Sequence, residues 1–128
     1  MSLEEKISVK VLGSMIGYAT EQLAIHDEAF KNKLKGLNEV IQWKIGDDIA
    51  YYSEIKDESI KANDGISPNP TITFEIEDVS KALSLLTGKI DVAGIAGDMK
   101  ISGDAAKIQQ LGFILETVAE YMEGLRGG

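Results

Sequence analysis

From Glu39 onward the chain repeats with a period of two. In EVIQWKIGDDIAYYSEIKDESIKAN, Ile41, Trp43 and Ile45 fall on one side and Gln42 and Lys44 on the other. That is the pattern of a strand with one apolar and one polar face. Gly46-Asp47-Asp48 turns the chain into Ile49 to Ile55, and Asp57-Glu58 turns it again into Ser59 to Asn63. After DGISPNP, a loop that holds both prolines, TITFEIE alternates once more, with Ile72, Phe74 and Ile76 inward and Thr71, Thr73, Glu75 and Glu77 outward. A sheet covered on both faces would have continuously apolar strands. The alternation therefore requires an antiparallel meander with one wet face and one face needing a cover.

The flanking segments supply that cover. Between Leu3 and Ile25, Ile7, Val11, Met15, Tyr18 and Ile25 follow helical spacing, and Leu12, Ile16, Ala19 and Leu23 form an adjacent stripe. The pattern predicts an amphipathic helix, although Ile7, Val9 and Val11 also alternate as a strand would, and Gly13 and Gly17 lower helix propensity. Asp27 is placed to cap a short helix through Phe30 and Leu34, closed by Gly36. Asp78 caps Val79 to Thr87, whose Val79, Ala82, Leu83 and Leu86 make an apolar stripe ending at Gly88. Gly97 to Gly103 reads as a short strand with Met99 and Ile101 on one face. Asp104 then caps a last helix in which Ile108, Leu111, Leu115, Val118, Met122 and Leu125 recur every three or four residues. The chain of 128 residues is read as a single α+β domain with helices on one sheet face: a helical part at 1–37, a strand meander at 39–77, and helix, strand and helix at 78–128.

Charge and missing residue types narrow the function. A net charge of −8 repels a phosphate backbone and an anionic membrane alike, so nucleic acid is not expected as a partner. No cysteine is present, which removes disulfides and thiolate chemistry and fits a reducing, cytoplasmic setting. The N-terminus carries Glu4 and Glu5 where a signal peptide would be basic, and its apolar residues are too interrupted for stable membrane insertion. His26 is the one imidazole, next to Asp27 and Glu28 at a helix end, where it complements the helix dipole. One histidine and no cysteine build neither an ordinary metal site nor a catalytic triad, Glu75 and Glu77 lie on the wet strand face, and Asp47-Asp48 is a turn. Neither an enzyme nor a cofactor is expected.

Four glycines, at 88, 94, 97 and 103, punctuate LTGKIDVAGIAGDMKISGD. A phosphate cradle would need a Lys-Ser/Thr pair or GxGxxG spacing, and neither occurs; Asp98 and Asp104 would also repel the anion. The glycines are read as shaping the backbone: Gly88 stops a helix, Gly94 turns the spacer, and Gly97 and Gly103 bracket a strand. The run Thr87-Gly88-Lys89, a spacer, then Gly97, Met99, Lys100, Ile101, Gly103 and Asp104 leading into an amphipathic helix resembles the sterol carrier protein 2 family of lipid-transfer domains. Upstream, the Phe30-Leu34-Leu37 helix before the Trp43 strand and the PTITFEIED strand before a helix fall in that family's order, so the resemblance runs from about Phe30 to Leu111. The spacer Ile90 to Ala96 is shorter than the family's usual stretch, and Asp98 stands where a basic residue is usual. The resemblance implies a mostly antiparallel, twisted sheet of about five strands, with helices on one face around an apolar tunnel that holds a fatty acyl chain, an isoprenoid or a sterol skeleton.

Physical chemistry bears on that expectation. An empty cavity of about 300 Å³ would cost on the order of 7 kcal/mol, which rivals the stability of a domain, so a tunnel must be occupied or collapsed. Moving a sixteen-carbon chain out of water is favourable by roughly 11 kcal/mol, but relative to a bilayer the gain is near zero, the balance a shuttle requires. Inward strand faces and facing helix stripes nominate as lipid-lining residues Trp43, Tyr51, Phe74, Ile76, Leu83, Leu86, Met99, Ile101, Leu111, Leu115, Val118 and Met122. Tyr51, Tyr52 and Tyr121 offer hydroxyls to a headgroup. The alternative is a module whose C-terminal seam from Ile108 to Leu125 pairs with a twin in a homodimer, or docks on a partner enzyme.

Overall fold

Every strand expected from the alternation forms. In a computed structural model of the protein, which describes residues 3–86, 94, 96–103, 106–107, 110–114, 117 and 120, the strands are β1 (Glu39–Ile45), β2 (Ile49–Lys56), β3 (Ser59–Asp64), β4 (Ile72–Ile76) and β5 (Met99–Gly103). They make one sheet in the order β3-β2-β1-β4-β5. The β1-β2, β2-β3 and β4-β5 ladders are antiparallel. The central pair is parallel, with Ile41 beside Ile72, Trp43 beside Phe74 and Ile45 beside Ile76. That pair is closed at its ends by Thr71 N–H donating to the Val40 carbonyl at 2.8 Å and by Gly46 N–H donating to the Ile76 carbonyl at 2.8 Å. The turn between β2 and β3 puts Asp57 at φ 53 and Glu58 at φ 61, the left-handed pair that matches a two-residue hairpin to strand twist.

The helices α1 (Leu3–His26), α2 (Glu28–Lys33) and α3 (Val79–Leu86) lie on the sheet face that carries Ile41, Ile45, Ile55, Ile72 and Ile76. Asp27 caps α2 as expected, its Oδ1 accepting from Phe30 N–H at 3.1 Å. Asp78 caps α3 by accepting from Ser80 N–H at 2.9 Å. The described residues between 106 and 120 are helical, and in them Leu111 and Ile114 are buried in the same core as Phe30 and Leu34. Phe113 meets Phe30 edge to face at 5.4 Å.

Three expectations change. Helix α1 is anchored by Val9, Gly13, Gly17, Thr20, Leu23 and Ala24, all buried, whereas the stripe read as its apolar face, Ile7, Val11, Met15, Tyr18 and Ile25, is exposed. Glycine wins that face because it lets the helix axis approach the sheet: a Cβ on Gly17 would lie 2.8 Å from the Ala62 Cβ. Next, the last strand begins at Met99, because Ala96–Asp98 forms one 3₁₀ turn. Gly103 does need to be glycine, with φ +124 and the Thr71 carbonyl 2.5 Å from where a Cβ would sit, but Gly97 has open space around it. Finally, the wet face is not wet throughout, since Gln42 is fully buried there beneath the loop after β3. Its Oε1 accepts from Ser67 N–H at 2.7 Å and its Nε2 donates to the Gly65 carbonyl at 3.1 Å, which satisfies a buried amide that would otherwise be costly. Gly88 as a helix stop, Asp104 as a cap, and Ile108, Tyr121 and Leu125 fall outside the described residues.

Candidate functional site

The strand registers align one row of side chains across the whole sheet. Tyr51 on β2 is opposite Trp43 on β1, Trp43 is beside Phe74 on β4, and Phe74 is opposite Ile101 on β5. The rings of Trp43 and Phe74 stack at 4.6 Å between centroids, and those of Trp43 and Tyr51 at 6.4 Å, both with an interplanar angle of 25°. The result is a continuous row of stacked aromatic rings across three strands. The next row adds Ile76 opposite Met99, beside Ile45 and Ile49.

The cover over this floor is uneven. Ile41 and Ile45, on either side of Trp43 in the same strand, are 8% and 1% exposed, yet Trp43 at the centre of the central strand is only half-buried. In a solidly packed interior that position would be the most enclosed. Ile16, Tyr51, Leu83 and Leu85 are likewise only partly buried where they pack against the core. Phe74 and Met99 are each 7% exposed, and Ile101, on the edge strand, is 40% exposed.

Tyr51 is held from above by α1. A Cβ on Gly13 would come within 2.8 Å of its ring, so the ring and the bare helix backbone fit each other. Burial alone pushes the Tyr51 phenol well above its usual range, leaving it a neutral donor in an apolar setting. Tyr52, pairing with Gln42, points to the opposite sheet face and cannot share a ligand with Tyr51. Tyr121 lies outside the described residues, as do Leu115, Val118 and Met122. Leu86 ends α3, and Leu111 is buried among the core residues.

Sequence reasoning missed two features. One is the glycine contact, whose signal was the run of small residues at 13, 17, 20 and 24 at helical spacing. The other is Glu39, 4% exposed at the start of β1, whose Oε1 pairs with Lys107 at 2.6 Å while its Oε2 has no hydrogen-bond partner. The Asp98 carboxylate is paired with Lys81 at 2.7 Å, and the resulting pull, mainly a hydrogen bond, raises the lysine's pKa. Among the described residues no cluster of His, Asp or Glu is arranged to hold a metal ion. No helix among them is long and apolar enough to cross a membrane.

A protein-family model described as the SCP-2 sterol transfer family matches residues 20–116. The chain belongs to that family. Solved structures share its fold: palmitated SCP2L2 from Aedes aegypti has 18% identity and a TM-score of 0.60, covering 90% of this chain and 95% of that one. The sterol carrier protein domain 2 of Helicoverpa armigera has 17% identity and a TM-score of 0.64, covering 84% and 87%. Sterol carrier protein 2 from Yarrowia lipolytica, in its apo form, has 17% identity and a TM-score of 0.56, covering 79% and 88%. Comparison with curated protein sequences finds no match. The SCP-2 assignment accounts for the five-stranded sheet and its one-sided helical cover, while most of α1 precedes the matched segment.

Proposed function

We propose that the chain, as a single lipid-binding domain, carries an apolar small molecule without transforming it: a fatty acyl chain, an isoprenoid or a flat sterol-like skeleton lying on the Tyr51-Trp43-Phe74 floor. The observation that carries this reading is the half-buried tryptophan at the centre of the sheet, between the buried Ile41 and Ile45 of the same strand. A planar or extended hydrocarbon laid there removes water from the exposed part of the Trp43 ring at about 25 cal/mol per Å² of apolar surface. The neutral Tyr51 hydroxyl gives a hydroxyl or carboxyl end one polar contact. Ile76, Leu83, Leu86, Met99, Ile101 and, toward the C-terminus, Leu111, Leu115, Val118 and Met122 complete the proposed lining, with methionine suited to ligands of varied shape. The described part of the C-terminal seam does not favour a twin-helix module, because its Leu111 is spent on the chain's own core. Membership of the SCP-2 family and a palmitated structural relative agree with carriage. The acidic, cysteine-free composition suits a cytoplasmic carrier.

Trp43 is the only tryptophan, so the site contains its own reporter. Titration with a conjugated polyene fatty acid should quench Trp43 emission by energy transfer, saturate at one ligand per chain, and be reversed by unlabelled palmitate or a sterol. Trp43 emission that does not respond, in protein stripped of lipid, would overturn the assignment.

A further inference from the structure

Helix α1 has a second apolar face. At 100° per residue, Ile7, Val11, Met15, Tyr18 and Ile25 occupy one arc, with Leu3 at its margin, directly opposite the buried Val9-Gly13-Gly17-Thr20 line. These side chains are between 45% and 73% exposed. A groove of about 600 Å³ lies on the same face, its described lining including Val11, Ser14, Met15 and Tyr18. Only Glu4, Ser14 and Gln22 interrupt the arc with polar groups. Most of this seam precedes Thr20, where the SCP-2 match begins.

The charges beside the seam are already committed within the chain. Lys6 pairs with Asp48 at 3.2 Å, Lys10 pairs with Asp64, Glu21 accepts from Ala62 N–H at 2.7 Å, and Glu5 accepts from the Ser80 hydroxyl. Lys10, which borders the groove, is already held by Asp64, no lysine or arginine lies within the arc itself, and the net charge of −8 opposes an anionic bilayer. Glu4 and His26 remain, on the same flank of the seam at opposite ends of the helix.

We propose that α1 pairs with α1 of a second copy of the chain, antiparallel, about a two-fold axis beside Met15. Antiparallel pairing sets like flanks against each other, so each Glu4 carboxylate meets the partner's His26 N–H, twice per dimer. Val11 of each copy then packs against Tyr18 of the other across the axis. Parallel pairing would instead leave each Glu4 level with the partner's Glu4 and a full helix length from any His26. The contact is an isologous strip one helix long, at the small end of specific interfaces, and gives a concentration-dependent dimer.

The chain has no cysteine, which makes the test direct. Sedimentation of the full chain over a hundredfold range of concentration should show monomer and dimer, and Val11→Glu or Tyr18→Glu should weaken association at least tenfold while leaving circular dichroism and the Trp43 emission maximum unchanged. With a short bismaleimide, Met15→Cys should cross-link to itself. Leu3→Cys should not cross-link to itself but should do so when mixed with Ile25→Cys. The proposal is overturned by a chain that stays monomeric, by self-linking of Leu3→Cys, or by a monomer whose seam binds phosphatidylcholine vesicles in a Val11-dependent way.

Discussion

Tyr51 shows how one residue can combine a structural role with the ligand contact proposed for it. Its ring fills the place that Gly13 leaves under α1, and its edge joins the aromatic floor. Because its folded-state pKa lies above the unfolded value, the native state holds the proton that an unfolded chain releases above about pH 10. Below that pH the phenol contributes no pH dependence; as pH rises past it, ionisation favours unfolding and stability falls. Chemical denaturation at pH 8 and pH 11 should therefore show a smaller alkaline loss for Tyr51→Phe than for the parent. Equal losses would mean that the hydroxyl reaches water freely. The same substitution should keep hydrocarbon affinity but weaken ligands that carry a terminal hydroxyl by roughly tenfold, about the worth of one hydrogen bond.

At the scale of elements, the C-terminal helix is tied to the sheet by Lys107 and the buried Glu39. Lys107→Leu leaves that carboxylate without its countercharge, and with the lysine 39% exposed to screening water the expected loss is about 1–3 kcal/mol by urea unfolding. Replacing both with leucine should recover most of it, since an apolar pair avoids the desolvation that the ion pair incurs. The pair itself was hidden in the sequence, where Glu39 reads as one more strand-end acid and its partner is far along the chain. The strands and their inward faces were legible because a period of two is a local property: Ile41-Trp43-Ile45 and Ile72-Phe74-Ile76 announce their orientation without any neighbour. Strand order was not, because the β1-β4 pairing joins the β1-β2-β3 meander to a strand that returns after a loop and lies parallel to its first member. The orientation of α1 was misread for a related reason. Its closest contact is made where side chains are absent, at Gly13 and Gly17, and hydrophobicity has no way to signal a missing side chain. Of the proposed site, Trp43, Tyr51, Phe74 and Ile101 could be named from their facing, whereas the incomplete burial of Trp43 depends on tertiary packing that no local pattern signals.

For the whole molecule, an incompletely covered sheet makes stability depend on the guest. Ligand that binds only the native state adds about 2.7 kcal/mol at a hundredfold excess over its Kd, so lipid-stripped protein should melt several degrees lower than protein refilled with palmitate. Scanning calorimetry on both forms checks this, and coincident transitions would indicate an interior with no room to fill. The strand order has a further bearing, on how the protein is made. During synthesis β1, β2 and β3 can pair as soon as they emerge, but the edge of β1 whose backbone groups pair with β4, from Val40 to Gly46, stays unsatisfied until β4 has left the ribosome. For that interval the nascent chain presents a greasy, open ladder to its surroundings, the kind of edge that recruits stray strands and that chaperones recognise.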